Sequence, residues 1–443
     1  MRGKSSWLGK GLLAMVLIVL LLSACSSDSG GSSSGGSSDG KVKLTMTAWG
    51  GNPAEIKVYQ KAIDAYQEDN PDVSIKLIPG PGDTYKQKLL TQLQGSQSPD
   101  LFYVGAEYMS QLIETGRVAE LSEFLNSDES FVKPEEFAEG LWGGAAKKEE
   151  EIYGTPVDSN PMLLYYNKTV LEEAGLDPNE PQKLYEAGGE WNWEKFAEIN
   201  KQVTESGKYG FVAENTSSHL FSWVWTNGGK MYDEEGNIIL QENEKAQEAI
   251  AYLNENVSNG NFKYAGSLPE GQGPDAMFMS NQTAFAAAGR WYTPMFSENK
   301  NLEFDYIPWP TNTGEKMEPA VIATAYLSTT TDSDNLEEAK KFLSFYTSEK
   351  GQRARLEGNG NAVPSIASVD DIIENAEVPE HSSYLIDARD IGKVEANQSV
   401  IPGLDQEVID IFDLMFLGEQ TPEDTITKVS EKAKSMIEDY KNQ

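Results

Sequence analysis

Residues 41–49 read KVKLTMTAW, and their polar and apolar side chains alternate with the period of a β-strand. Residues 52–69 carry apolar side chains at helical spacing between two Asn-Pro pairs, a typical helix start and stop. The same order repeats with a strand at 73–77, a helix at 83–95 capped by Asp83, and a strand at 101–104. Alternating strands and helices predict right-handed crossovers and a mostly parallel α/β sheet.

Ligands of open α/β sheets bind outside the carboxyl ends of the strands. Trp49 lies at one of these ends, beside Gly50 and Gly51, which let a ligand approach the backbone closely. Trp49 is therefore a candidate ligand contact. The alternative is that it forms an aromatic lid over the core of this sheet.

Helix start signals recur in the second half of the chain. Asp334 is expected to cap a helix with apolar side chains spaced along 336–346, and Thr421-Pro422 is expected to open the last helix.

Residues 1–24 have the pattern of a secretory signal peptide. Three basic residues precede an apolar run at 12–22 that is too short to span a bilayer. Leu22-Ser23-Ala24-Cys25 resembles the lipobox of bacterial lipoproteins, in which the cysteine is acylated before cleavage on its amino side. Cys25 is the only cysteine of the chain. We therefore expect lipidation of Cys25 and a location on the extracytoplasmic face of the cell membrane.

Residues 26–40 contain only Ser, Gly and Asp, which cannot bury apolar area and behave as a flexible coil. A coil of this length has a root-mean-square end-to-end distance of about 20 Å. We expect residues 25–40 to be the lipidated cysteine and a Ser/Gly tether.

The composition limits the classes of partner. The chain has 443 residues and a formal net charge of −34 at pH 7, which repels nucleic acid, so no nucleic-acid partner is expected. The roughly 400 residues beyond the tether are too many for one core and predict two domains. With Cys25 acylated no disulfide can form, so the cores alone hold the folded part together.

Sequence motifs for metal or cofactor chemistry are missing. His219 and His381 each stand without a second ligand at metal spacing, and no Walker loop or dinucleotide fingerprint occurs. Acidic residues are so frequent that no catalytic carboxylate pair can be singled out. The sequence therefore predicts no metal, no cofactor and no catalytic residue.

Six segments carry a resemblance, and they occur in the order Ser98–Phe102, Tyr153–Lys168, Trp225–Tyr232, Ala284–Trp291, Ala339–Gln352 and Ala362–Pro364. In this order they resemble the sugar-binding lipoproteins of ABC importers, the extracellular solute-binding family that includes maltodextrin-binding proteins. One departure is Glu190–Trp193, where the family has Pro-x-Thr-Trp, although Asn192 can still cap the helix that follows.

The resemblance implies a two-lobed, periplasmic-binding-protein-like α/β fold. Two α/β lobes are joined by a hinge of several crossing strands, and a ligand binds in the cleft between them. Carried over to this chain, lobe 1 would comprise 41–157 plus 311–358, and lobe 2 would comprise 158–310 plus 359–443.

The resemblance also implies cleft residues in lobe 2. A sugar needs planar groups that bond two hydroxyls and aromatic faces that cover its C–H patches. Trp291 takes the position where the family stacks a sugar, and Arg290 bonds either hydroxyls or an acidic neighbour. His219 and Trp223 take positions of aromatic cleft residues. The alternative for His219 is a structural histidine.

Further cleft residues are implied in lobe 1 and at the crossings. Glu107 matches a position that hydrogen-bonds sugar, although it could be only a solvated carboxylate at a helix start. Asn160 matches a crossing residue that lines the cleft, and Tyr326 and Asn361 are placed by the remaining crossings.

The function implied is that of a lipid-anchored, monomeric receptor and not an enzyme. It would bind a carbohydrate, in particular an oligosaccharide, by hinge closure and deliver it to the permease subunits of an ABC importer. One alternative is a tethered glycoside hydrolase or lyase. Another is the same fold with a peptide, polyamine or iron complex as ligand.

Overall fold

The computed structural model of this chain describes residues 41–50, 53–95, 97–142, 146–148, 150–269, 272–358, 360–376, 378–395 and 401–442. At 54, 82–83, 107 and 147–148 only the backbone is described. The predicted signal peptide, Cys25 and the tether lie outside the described residues.

The strands, in chain order, are β1 (Val42–Trp49), β2 (Val73–Gly80), β3 (Leu101–Gly105), β4 (Lys147–Lys148), β5 (Glu151–Ile152), β6 (Thr155–Pro156), β7 (Asn160–Pro161), β8 (Leu163–Asn167), β9 (Tyr209–Ala213), β10 (Phe262–Tyr264), β11 (Thr283–Ala288), β12 (Phe304–Ile307), β13 (Ile322–Ala323) and β14 (Ala325–Thr329).

The α-helices are α1 (Pro53–Asp69), α2 (Gly82–Gln94), α3 (Ala106–Glu114), α4 (Ser122–Asn126), α5 (Lys168–Glu173), α6 (Glu180–Glu186), α7 (Trp193–Glu205), α8 (Ser217–Trp225), α9 (Glu244–Ser258), α10 (Pro274–Met279), α11 (Thr293–Glu298), α12 (Leu336–Thr347), α13 (Glu349–Leu356), α14 (Asp371–Glu374), α15 (Tyr384–Ile391), α16 (Leu404–Phe416) and α17 (Pro422–Lys441). Single 3₁₀ turns occur at Pro134–Glu136, Glu139–Leu141, Ala265–Ser267, Arg290–Tyr292 and Ala367–Val369.

The first sheet has the strand order β2-β1-β3-β14-β6. β1 pairs in parallel with β2 from Val42↔Val73 to Trp49↔Gly80, and in parallel with β3. The parallel pairing predicted from the first three strands is therefore confirmed. β14 comes from far along the chain and runs antiparallel to both β3 and β6.

The second sheet has the strand order β10-β9-β11-β8-β12. β9 pairs in parallel with β10 and β11, whereas β8 runs antiparallel to β11 and β12. The sheet is covered on both sides, because Leu163 and Tyr165 of β8 join one apolar cluster and Leu164 and Tyr166 join another.

Short pairings join the two sheets. The chain leaves the first sheet after β6 and enters the second at β8, and between them β7 pairs with β13 through Asn160↔Ala323. Ser159 also forms a bridge with Val363, so a third segment passes the same place. Two sheets and their connections confirm the predicted two-lobed α/β fold. The lobe boundaries given above remain a prediction.

Some of the helix starts predicted from local sequence signals are confirmed, and others are wrong. Asn192 and Thr421 cap α7 and α17 by accepting the backbone N–H groups of Lys195 and Asp424. The predictions for Asp83 and Asp334 are wrong, because α2 begins at Gly82 after Pro81 and the N-cap position of α12 is Asn335.

A buried ion pair ties the first crossing to the core of the first sheet. Nη1 of Arg355, in α13, lies 3.3 Å from Oδ2 of Asp158, and Nη2 donates to the carbonyl of Val157. The Arg355 side chain is 0 % exposed, and its guanidinium lies over the ring of Tyr346. Burial raises the pKa of Asp158, and the nearby charge of Arg355 opposes that rise.

Replacing Arg355 tests this pair. Arg355→Met leaves Asp158 buried without its cation, so we expect the free energy of unfolding to fall by about 3–5 kcal/mol in urea titrations. Arg353→Met is the matched control on the same helix, since Arg353 pairs with Glu349 and Asp371 at the surface, and we expect about 0–1 kcal/mol there. Equal losses in the two variants would contradict the assignment.

Candidate ligand-binding site

Candidate groups meet at one edge of the second sheet. β9 and β11 are parallel neighbours, so their carboxyl ends lie at the same edge. β9 ends at Ala213 and is followed by Glu214, and β11 ends at Ala288 and is followed by Gly289, Arg290 and Trp291. We call this place the lobe-2 edge.

Gly289 makes room for the ring of Trp291. A Cβ at position 289 would lie 2.2 Å from Cζ3 of Trp291 and 2.6 Å from Cβ of Asn160, closer than any real contact. The absence of a side chain therefore lets the half-buried Trp291 ring lie against the backbone, next to the crossing residue Asn160.

Arg290 joins three separate segments at this place. Its backbone N–H donates to Oδ1 of Asn160 (3.1 Å), and Nη1 donates to the carbonyl of Ala362 (2.9 Å). Arg290 is only 3 % exposed, and burial lowers its pKa. Asn361, next to Ala362, is buried, and its Oδ1 has no hydrogen-bond partner among the described residues. Asn160, Arg290, Trp291 and Asn361 are therefore brought together.

His219 lies at the same edge, in the first turn of α8. Its Nδ1 is 2.6 Å from Oγ1 of Thr216, the residue that caps this helix. Its Nε2 is 3.4 Å from Oε2 of Glu214. Burial lowers the pKa of His219 to about 4, so near neutral pH the imidazole is uncharged and this contact is not an ion pair.

Glu214, Asp275 and Tyr292 are edge residues that the sequence did not single out. Burial, and next the charge of Asp275, raise the pKa of the Glu214 carboxyl to about 7. The pKa of Tyr292 is raised by burial and by both carboxylates, so the three side chains share one neighbourhood. Trp49 was selected because it lies at the carboxyl end of a strand. The same criterion would have selected Glu214, which directly follows β9.

The first sheet contributes an aromatic group at its own carboxyl edge. Trp49 is half-buried and makes edge-to-face contacts with Tyr85 and Tyr103, with ring centroids 5.4 Å apart in each case. These contacts fit the aromatic lid and leave part of the indole exposed. Glu107 lies in the first turn of α3, but its side chain is outside the described part of the chain.

Two predicted site residues need correction. Trp223 is 1 % exposed and packs against other aromatic rings in the core of the second sheet, among them Trp193 and Trp309. Tyr326 is 0 % exposed, and its hydroxyl donates to the carbonyl of Leu141 (2.6 Å). Both side chains are buried, so neither offers a surface to a ligand. The prediction failed because the aromatic pattern of a sequence does not reveal which face of an element points inward.

One group of side chains has the chemistry of metal ligands, Asp305, Glu380 and His381, whose donor atoms lie within 4.8 Å of one another. Its buried member, Asp305, already accepts from Nδ1 of His381 (2.8 Å) and lies 3.3 Å from Nζ of Lys168. The lysine ammonium supplies the positive charge at this place, so the group acts as an ion-pair network between β12 and the segment before α15.

Within the described ranges, we find no helix with the length and apolar character needed to cross a membrane.

Two sheets joined by crossing segments, with polar and aromatic groups at the carboxyl edge of each, define a two-lobed solute-binding protein. The family of bacterial extracellular solute-binding proteins matches residues 50–353, so the chain belongs to this family. The family is one of binding proteins and not of enzymes.

Solved structures share the fold over most of the chain. The ABC substrate-binding protein of Listeria monocytogenes in complex with cycloalternan has a TM-score of 0.79 at 20 % identity and covers 90 % of this chain and 99 % of its own. A solute-binding protein from Thermotoga lettingae bound with α-D-tagatose has a TM-score of 0.75 at 19 % identity, covering 89 % and 100 %. The arabinooligosaccharide-binding protein of Halalkalibacterium halodurans is 27 % identical over 47 % of this chain and 44 % of its own length.

The raised pKa of Glu214 makes a prediction about stability. A carboxyl whose pKa rises from 4.5 to about 7 on folding destabilises the folded state progressively as pH rises from 4.5 to 7, because the unfolded chain loses the proton first. Glu214→Gln should therefore raise the free energy of unfolding by about 1–3 kcal/mol at pH 8 and by much less at pH 4. Urea titrations at the two pH values measure this difference.

Glu205→Gln, at the exposed end of α7, is the matched control and should change the free energy of unfolding by less than about 0.5 kcal/mol. An equal gain for Glu214→Gln at both pH values would contradict the raised pKa.

Proposed function

We propose that this protein is the carbohydrate-binding component of an ABC importer and binds its ligand in the cleft between the two lobes. The observation that carries the proposal is the lobe-2 edge, where the Trp291 ring lies against Gly289 beside Asn160 and Asn361. An aromatic face covers the C–H patch of a sugar, and side-chain amides and carboxyls pair with its hydroxyls.

The relatives support a saccharide ligand. The proteins named above bind cycloalternan, α-D-tagatose and arabinooligosaccharides by their names and titles, and a further relative, from Rhizobium radiobacter, is a lactose-binding protein. These ligands differ in length and linkage. We therefore propose the class of ligand, an oligosaccharide in particular, and leave its size to experiment.

We propose hinge closure as the binding mechanism. Asp158 is held to the first lobe by Arg355, and Asn160 is held to the second by the backbone N–H of Arg290. The rotation would therefore centre on Ser159, whose backbone pairs with Val363. A ligand that contacts Trp49 on one lobe and Trp291 on the other favours the closed state, because only that state offers both contacts.

The membrane part of the proposal rests on the N-terminal segment. Lipidation of Cys25 would anchor a monomer to the extracytoplasmic face of the membrane, and residues 26–40 would let it reach the permease. No cofactor, metal or nucleic acid takes part.

Trp291→Ala tests the site. Loss of the stacked ring should weaken binding of the best oligosaccharide by about 1–3 kcal/mol, as base–aromatic stacking does elsewhere, while Trp291→Phe keeps part of the affinity. Calorimetric titration measures the affinity, with Tyr209→Ser, at an exposed edge of β9, as the control. Unchanged affinity in Trp291→Ala would place the ligand elsewhere.

Solution scattering tests the mechanism. Saturating saccharide should reduce the radius of gyration, because the lobes close over the ligand. A constant radius at saturation would remove hinge closure. Conversion of the glycan to products during the same incubation would favour the alternative of a tethered hydrolase or lyase.

A further inference from the structure

A cavity of about 380 Å³ lies beside α8, and none of the lobe-2 edge residues lines it. Three parts of the chain form its walls: α8 with the turn that follows, residues 318–319 before β13, and residues 393–395 after α15. We call this cavity the Trp225 pocket. Its volume falls within the range of sites for small molecules, about 300–1,000 Å³.

The pocket is built by a motif that the proposed function does not use. Trp225–Tyr232, one of the six segments that resemble the solute-binding family, supplies six residues to the lining. The turn in this segment is fixed against the start of α9. Nδ2 of Asn227 donates to the carbonyl of Lys245 (2.7 Å), and a Cβ at Gly229 would lie 2.7 Å from the backbone nitrogen of Ala246. This wall is therefore formed before any ligand binds.

The other walls are joined to α8 through hydrogen bonds. Oγ of Ser222 accepts the backbone N–H of Val321 (3.1 Å), which holds the segment before β13 against α8. That segment in turn holds Lys393, whose N–H donates to the carbonyl of Ala320 (3.2 Å) and whose carbonyl accepts from the N–H of Ile322 (2.8 Å). Because these walls are already ordered, a ligand loses little affinity to conformational entropy.

Three aromatic side chains line the pocket. Trp225 is half-buried, and its ring centroid lies 5.4 Å from that of Phe221 at an angle of 59°. The Phe221 ring stacks in turn on Tyr232, with centroids 6.2 Å apart at 23°. Part of the indole of Trp225 therefore stays open to a ligand, and an aromatic surface covers the C–H patch of a sugar.

Charged side chains of both signs surround the pocket, namely Lys230, Asp233, Glu234, Glu318, Lys393 and Glu395. Both lysines are exposed, and within the described ranges neither forms an ion pair. This mixture of charges favours neither an anion nor a cation as ligand. A neutral sugar suits it, because each hydroxyl can accept from an ammonium and donate to a carboxylate.

We infer that the Trp225 pocket is a second saccharide-binding site, in which a neutral sugar ring lies against Trp225 and its hydroxyls bond to Lys230 and Glu318. This inference takes its class of ligand from the proposed function but places a sugar ring away from Trp291. The ring is either the far end of the chain bound at Trp291 or a second saccharide molecule, and its chemistry is the same in both cases.

Fluorine NMR on the full chain labelled with 5-fluorotryptophan tests the site. Trp225→Phe and Trp291→Phe assign the two resonances by their loss. The probes are tagatose, lactose, an arabinooligosaccharide, cycloalternan, and free tryptophan as an aromatic zwitterion without a sugar ring. We expect a saccharide that shifts the Trp291 resonance to shift the Trp225 resonance as well. Equal midpoints, obtained only with the longer saccharides, indicate one chain at both places, whereas separate midpoints indicate a second molecule.

Lys230→Ala should raise the saccharide concentration at the midpoint of the Trp225 shift about threefold to tenfold, because a hydrogen bond to a charged group is lost. Lys201→Ala, which removes the same charge from the exposed side of α7, should leave that midpoint unchanged. An unchanged midpoint in Lys230→Ala would show that the resonance shifts without contact and would overturn the inference.

The remaining outcomes separate this inference from the proposed function. A saccharide that shifts only the Trp291 resonance would overturn the inference and leave the proposed function standing. A shift confined to the Trp225 resonance would support the inference and contradict the site proposed at Trp291. Tighter binding of free tryptophan than of any saccharide at Trp225 would overturn the class of ligand inferred for this pocket. No shift of either resonance with any saccharide would overturn both proposals.

Discussion

Two buried arginines fix the crossing on which both sheets depend. Arg355 holds Asp158 against the core of the first sheet, and Arg290 holds Asn160 at the edge of the second. The contact of Arg355 with Asp158 cannot be released cheaply, because a buried charge that loses its partner costs several kcal/mol. The contact of Asn160 is a single hydrogen bond from the backbone N–H of Arg290. Only the short stretch of backbone between these two contacts can therefore change its conformation easily. The same contacts fix the positions of the carboxyl edges of the two sheets.

Burial also sets the charge state of the lobe-2 edge. It lowers the pKa of His219 to about 4 and raises that of Glu214 to about 7, so between these values both groups are neutral although they lie 3.4 Å apart. A carboxyl acid and a neutral imidazole both donate and accept hydrogen bonds. That capacity matches the hydroxyls of a saccharide better than a fixed ion pair would.

Much of the fold could be predicted because its signals are local. The period of β1, the proline-bounded α1 and the spacing to β3 depend on neighbouring residues alone, whereas the antiparallel place of β14 between β3 and β6 depends on contacts more than 160 residues apart in the chain. The same distinction between local and long-range signals applies to the site residues. Trp291 follows a recognisable motif, but Glu214 is one acidic residue among 70, and only the fold reveals its burial. Trp223 and Tyr326 were misassigned because aromatic residues serve cores and ligands alike.

The position of β14 has a consequence for how the chain is made. Until residues 325–329 have been synthesised, β3 has β1 on one side but lacks β14 on the other, and the first sheet keeps an open edge, so an N-terminal fragment cannot finish this core. Folding is thereby delayed until late in translation. For the export predicted from residues 1–24, such a delay would keep the chain unfolded while it passes through a narrow translocation pore.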